Sequence, residues 1–118
     1  MLENLFGNIV IEKVLFYLLV NDKGYASKMR RALDIPLYSV QRALMRLERG
    51  GIIVAQTEGK TVVYHFSPRY PFLDELKALL KKSYASLPEK IKNRYYESIE
   101  RTRPRRRGKP LKKVKDND

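Results

Sequence analysis

One segment of the sequence, residues 35–51, combines an apolar stripe with a face of long hydrogen-bonding side chains. Val40, Leu44 and Leu47 recur at helical spacing and fall within about 60° of one another on a wheel of 100° per residue. The opposite face carries three arginines, a tyrosine and a methionine, while Glu48 falls toward the side. The candidate residues on or beside this face are Tyr38, Ser39, Gln41, Arg42, Met45, Arg46 and Arg49.

These side-chain types suit the base edges and phosphates of a nucleic acid. Arginine bonds bidentately to guanine, glutamine bonds to adenine, and apolar groups contact the thymine methyl. A helix face that is only solvated would more often mix in acidic residues at i,i+4 spacing. We therefore expect this helix to enter a DNA major groove, with Tyr38, Ser39, Gln41 and Arg42 nearest the bases and the later arginines toward phosphates. A solvated basic face on a protein-interaction domain is the alternative.

Apolar spacing predicts three helices before residue 50. Pro36 separates the second from the third, because proline disfavours helix in the residue before it and suits the first turn of the next helix. Gly50 and Gly51 should end the third helix as a glycine C-cap. The predicted ranges are residues 8–20, 27–33 and 37–49.

A β-hairpin and two more helices are predicted after these. Residues 52–57 and 61–67 are rich in β-branched and aromatic types and flank a connection that contains Gly59. Helices are expected at residues 72–84 and 88–100. Lys60, at the tip of the hairpin, is a second candidate contact to phosphate or the minor groove. An ordinary exposed turn lysine is the alternative.

This order predicts a mainly α fold with a β-hairpin wing, a winged helix-turn-helix followed by C-terminal helices and a basic tail. The expected domains are a DNA-binding domain at residues 1–84, a C-terminal helix at 85–100 that could dimerise, and a disordered tail at 101–118. Tyr95 falls in register with Ile91 and Ile99, which favours core or dimer packing over stacking on bases.

Charge is concentrated at the C-terminal end. The chain has 25 basic and 13 acidic residues, a net charge of +12, and residues 101–118 contain nine basic and two acidic ones. Phosphate polymers are the expected partner, because each neutralised phosphate releases counterions. A membrane surface is disfavoured, since the tail lacks apolar residues that would insert. The candidate DNA contacts in the tail are Arg105, Arg106, Arg107 and Lys109.

The stretch Arg107-Gly108-Lys109-Pro110 partly matches the core of an AT-hook, which lies in the minor groove. A generic electrostatic arm is the favoured interpretation of this tail.

Several other functions lack support in the sequence. The absence of cysteine excludes disulfides and thiolate metal sites and fits a cytoplasmic location. The sequence contains no run of about 18 apolar residues, so it does not predict a membrane span. His65 stands alone, and Asp74 and Glu75 are neighbours that point apart on a helix. With no phosphate-cradling glycine motif either, we expect neither an enzyme nor a cofactor.

The segment ALDIPLYSVQRALMRLERGGII and the hairpin TEGKTVVYHFSP resemble the winged helix-turn-helix regulators of the ArsR-like and MarR-like superfamily. The similarity covers roughly residues 5–83. The residues that carry it are Val40, Leu44, Leu47, Gly51, Ile52, Ile53, Tyr64, His65 and Phe66.

This resemblance implies a DNA-binding transcriptional regulator, usually a homodimeric repressor on a near-palindromic site. Related folds pair their first and last helices, which would place the helices at residues 8–20, 72–84 and 88–100 in the interface. The cysteine or clustered histidine ligands of metal-sensing members are missing, so no metal is expected. The alternatives are an architectural DNA- or RNA-binding protein without sequence preference, and a winged-helix adaptor.

Overall fold

The computed structural model describes residues 1–97. Within this part the predicted fold class is confirmed, because the protein is mainly helical, with a β-hairpin after the helix–turn–helix pair and a helical C-terminal segment. Residues 98–118, with the end of the last predicted helix and the whole basic tail, lie outside the described residues. The elements are α1 (Glu3–Phe6), α2 (Ile9–Asn21), β1 (Lys23–Gly24), α3 (Ala26–Leu33), α4 (Leu37–Arg49), β2 (Ile53–Glu58), β3 (Thr61–Phe66), α5 (Leu73–Ala85), α6 (Glu89–Ile91) and a π-helical turn (Lys92–Tyr96).

The helix α4 begins and ends where the sequence predicts. Asp34 adopts a left-handed conformation (φ 57°) after α3, and Pro36 then precedes the first residue of α4. At the other end Gly51 is left-handed (φ 78°), and the Ile52 amide donates to the Leu47 carbonyl at 3.0 Å. This is the hydrogen bond of a Schellman C-cap, in which glycine avoids the Cβ penalty.

The three strands form one antiparallel sheet in the order β1-β3-β2. β2 and β3 pair from Ile53 opposite Phe66 to Glu58 opposite Thr61, leaving a two-residue turn of Gly59 and Lys60. Only Gly59 has a positive φ (65°), which matches a type II′ turn. The sequence did not predict β1, whose two residues pair with β3 after α2 ends.

The core surrounds α2, which is buried on most of its circumference. Even the charged Glu12 of this helix is only 4% exposed. Its carboxylate accepts a hydrogen bond from the Leu2 backbone amide and lies 3.3 Å from the Met1 ammonium. These contacts compensate the burial of a charge. The buried residues of α2 are Ile11, Glu12, Val14, Leu15, Phe16, Tyr17 and Leu18.

The C-terminal segment departs from the predicted continuous helix. After α6 the backbone takes the π-helical spacing, in which the Glu97 amide donates to the Lys92 carbonyl at 2.8 Å. This shifts the register by one residue, so that Tyr96 is buried (2% exposed) and Tyr95 is only partly buried. Tyr95 still packs against the core, as expected, but Tyr96 is the deeper side chain.

Tyr96 joins an aromatic cluster that fixes the C-terminal segment to the core. Its ring meets Phe16 edge-to-face at 5.6 Å between centroids and Tyr84 at 5.7 Å. Desolvation by burial, followed by the charge of Glu12, raises the pKa of Tyr96. Burial and a hydrogen bond to the Glu97 carboxylate raise the pKa of Tyr84. Both hydroxyls therefore keep their protons to a higher pH than an exposed tyrosine does.

Candidate nucleic-acid interface

The two faces of α4 separate as the helical wheel predicted. Val40, Leu44 and Leu47 are buried in the core. Tyr38 and Met45 are 66% and 55% exposed, although both side chains are large and partly apolar. Of the other candidates on α4, Ser39 is half-buried and the rest are exposed, namely Gln41, Arg42, Arg46 and Arg49.

A cleft of about 650 Å³ runs along this exposed face. The first turn of α2 forms one wall, and α4 forms the other. Gln41 is the one α4 candidate that does not line it. The lining residues from α4 are Tyr38, Ser39, Arg42, Ala43, Met45, Arg46 and Arg49.

The wall from α2 consists of Asn8, Val10 and Ile11, which the sequence did not point to as site residues. Asn8 caps α2, because its side-chain oxygen accepts hydrogen bonds from the amides of Val10 at 2.6 Å and Ile11 at 3.2 Å. An asparagine before an apolar helix predicts such a cap. Its position beside α4 depends on tertiary packing and has no local sequence signal.

Tyr38 and Arg42 form a pair within the site. The Arg42 Nη1 donates a hydrogen bond to the Tyr38 hydroxyl at 2.8 Å, and the guanidinium carbon lies 5.5 Å from the centre of the Tyr38 ring. The four-residue spacing places both side chains on one side of the helix. This contact holds one end of an otherwise solvent-exposed arginine.

Positive charge on this face is not neutralised locally. Within residues 1–97, no carboxylate oxygen lies within 4.0 Å of Arg42, Arg46 or Arg49. The one arginine of this part that pairs with a carboxylate is Arg94, whose Nη2 lies 3.5 Å from Asp34 across an exposed surface. The cleft therefore presents a positive potential to an approaching anion.

The hairpin places Lys60 at its tip, exposed to solvent as predicted. The hairpin is tied to β1 near this tip, because Lys23 Nζ lies 3.1 Å from a carboxylate oxygen of Glu58, the last residue of β2. Both side chains are exposed, so this ion pair contributes little stability. The four candidates in the tail, Arg105, Arg106, Arg107 and Lys109, lie outside the described residues.

The described part of the chain also contains the histidine that the sequence singled out. His65 is partly buried, and its Nδ1 lies 3.0 Å from the Phe66 carbonyl oxygen. Residues 1–97 contain no cluster of three or more histidine, aspartate or glutamate side chains that could hold a metal ion. Over the same residues, none of the helices combines the length and the apolar character needed to cross a membrane.

Comparisons with known proteins returned no match for this chain among family models, curated proteins or solved structures. The structure itself is a small fold of helices followed by a β-hairpin, and it is compatible with a winged helix.

Proposed function

We propose that this protein is a transcriptional regulator that binds double-stranded DNA and acts as a repressor, similar to winged helix-turn-helix regulators of the ArsR-like and MarR-like kind. The observation that carries the proposal is the exposed face of α4. It combines three arginines without carboxylate partners in residues 1–97 with an exposed tyrosine and methionine. This composition matches a helix that reads the major groove.

The surrounding elements have supporting roles in this proposal. The first turn of α2 stands beside α4 and lines the same cleft with Asn8, Val10 and Ile11. Lys60 on the wing and the basic tail contact phosphates or the minor groove. These contacts supply affinity and orientation, while α4 supplies the sequence preference.

We propose further that two copies associate through α5. Most apolar residues of α2 are buried within the chain, although Ile9 at its start is 43% exposed, and Ile91 and Tyr95 pack against the core. By contrast, Leu79 on α5 is 38% exposed, and Phe72, the residue before α5, is 62% exposed. Sedimentation should show a dimer that Leu79→Glu weakens, while Leu5→Glu, on exposed α1, leaves it intact. A monomeric wild-type protein at high concentration would contradict this arrangement.

A binding titration with two duplexes tests the proposed function. One duplex carries the DNA upstream of the protein's own gene, the other a shuffled sequence of equal length, and both are titrated at low and near-physiological salt. A specific regulator should prefer the first by roughly a thousandfold or more at the higher salt. Equal binding that collapses with salt would reject sequence-specific regulation. The absence of binding to either duplex would reject DNA binding and favour the adaptor.

Non-specific binding to DNA or RNA is the second candidate function. The observation that favours it is the distribution of charge, because residues 101–118 contain nine basic and two acidic residues. Contacts to phosphates carry no sequence information, so a protein whose affinity for nucleic acid came mainly from the tail would bind all sequences alike. The same titration separates the two candidates.

A further inference from the structure

Tyr38 and Arg42 lie in the N-terminal half of α4, the part of such a helix that usually approaches bases. Both side chains are exposed, so the core does not dictate their conformations. Their contact nevertheless combines a 2.8 Å hydrogen bond with a guanidinium carbon that lies 5.5 Å from the ring centre. A protein surface that needed only positive charge would not require this arrangement.

The hydrogen bond leaves one edge of the guanidinium available. Of the five N–H groups of arginine, the Tyr38 hydroxyl accepts one from Nη1. Within residues 1–97, Arg42 donates to no second acceptor. The Nε and Nη2 groups therefore present two parallel donors, the fork that fits the O6 and N7 acceptors of guanine.

The contact also distinguishes Arg42 from its neighbours. In the described part of the chain, Arg46 and Arg49 have neither a hydrogen-bond partner for the guanidinium nor a ring beneath it. Unrestrained side chains lose more rotamer freedom when they bind, whereas Arg42 is already oriented. A restrained planar fork suits bidentate recognition of a base, and a mobile cation suits a phosphate.

We propose that Tyr38 is a positioning residue that holds Arg42 for a bidentate hydrogen bond to guanine, so that the preferred DNA site contains a G·C pair opposite the N-terminal half of α4. This inference rests on the proposed function and adds to it the base that one residue reads. The hydroxyl of Tyr38 acts through Arg42 and not through the DNA.

The test begins with selection of preferred duplexes from a randomised pool by the wild-type protein. Dissociation constants are then measured on the selected duplex and on versions in which each G·C pair is replaced by A·T. At one position the replacement should weaken wild-type binding about 5- to 150-fold. Arg42→Lys should abolish that discrimination, because a lysine lacks the two parallel N–H donors of the guanidinium. Arg46→Lys should reduce affinity for both duplexes by a similar factor.

Tyr38→Phe then tests the positioning role, since it keeps the ring and removes only the hydroxyl. The discrimination ratio at the Arg42-dependent G·C pair should fall several-fold. The control is Tyr70→Phe, the same chemical change outside α4, which should retain the wild-type ratio. Thermal unfolding of both variants should match the wild type, because neither hydroxyl is part of the core.

The outcomes separate the inference from the proposed function. If Tyr38→Phe discriminates as well as the wild type, Tyr38 is not a positioning residue. If the wild type selects a sequence but no G·C pair depends on Arg42, the guanine assignment is wrong and sequence-specific binding stands. If the wild type selects no sequence at all, the proposed function fails together with this inference.

Discussion

Tyr38 and Arg42 are separated by four residues, a spacing at which side chains on a helix meet. Their contact could therefore have been anticipated from the sequence, as could the burial of Val40 and Leu44. The position of Asn8 across the cleft could not, because it depends on how α2 packs against α4. Helical periodicity is a local property, whereas the second wall of a cleft is set by the tertiary fold.

Replacing Arg42 by alanine should weaken binding to the preferred duplex by about 1–3 kcal/mol and relax the preference at one base pair. The reason is the loss of a base contact that differs between sequences. Equilibrium titrations on the preferred duplex and on single base-pair replacements measure both effects. An equal loss on every duplex would show that Arg42 contacts phosphate.

Gly24 has a steric reason to lack a side chain. A Cβ added there would lie 2.6 Å from Cε1 of Tyr17 and 3.2 Å from Cε of Met29, and both of these side chains are buried. Gly24→Ala should therefore lower the free energy of unfolding by about 1–3 kcal/mol, measured by urea denaturation.

Gly50→Ala is the matched control, since a Cβ at that position would meet no atom closer than 3.6 Å and the residue has ordinary helical dihedrals. Its effect should stay within about 1 kcal/mol of zero. Equal stability of Gly24→Ala and the wild type would mean that the Tyr17 ring can move away without cost.

Among the elements, α4 was the easiest to predict because Pro36 and the two glycines bound a strongly periodic segment. β1 was missed because two residues show no periodicity and gain their hydrogen bonds only by pairing with β3. The π-helical turn was missed for a similar reason. It brings Tyr96 against Phe16, a contact between distant parts of the chain.

The C-terminal segment should make stability sensitive to alkaline pH. Burial raises the pKa of Tyr84 above its ordinary value of 10.0. As pH rises, the unfolded state therefore loses this proton before the folded state does. The contribution of Tyr84 to the free energy of unfolding is fully present below about pH 10 and is lost as pH rises toward the folded-state pKa. Denaturant titrations between pH 8 and about pH 11 should show a falling free energy of unfolding.

Tyr84→Phe should make that decline shallower, because one ionising group is removed. The hydrogen bond to Glu97 is lost as well, so the variant should be less stable than the wild type at neutral pH. An unchanged pH dependence in this variant would show that Tyr84 does not contribute to the alkaline transition.

For the whole molecule, charge is distributed unevenly between the described part and the tail. Deleting residues 101–118 removes nine basic residues and should weaken binding to every duplex at low salt. The dependence of affinity on salt concentration should flatten as well, since fewer counterions are released. Unchanged affinity of the shortened protein at low salt would exclude this role for the tail.

The described C-terminal segment also lies beside the turn before α4. Arg94 pairs with Asp34 in the turn before α4, and the Asn21 side chain donates to the Tyr96 carbonyl at 3.3 Å. The last described residues are therefore held close to the start of α4. Under the proposed function, a basic segment that follows these residues on the same chain has an effective concentration on the order of millimolar at the duplex that α4 binds. We therefore expect the helix and the tail to bind DNA as a bivalent ligand, and a free tail peptide would have to reach such concentrations to replace the covalent one.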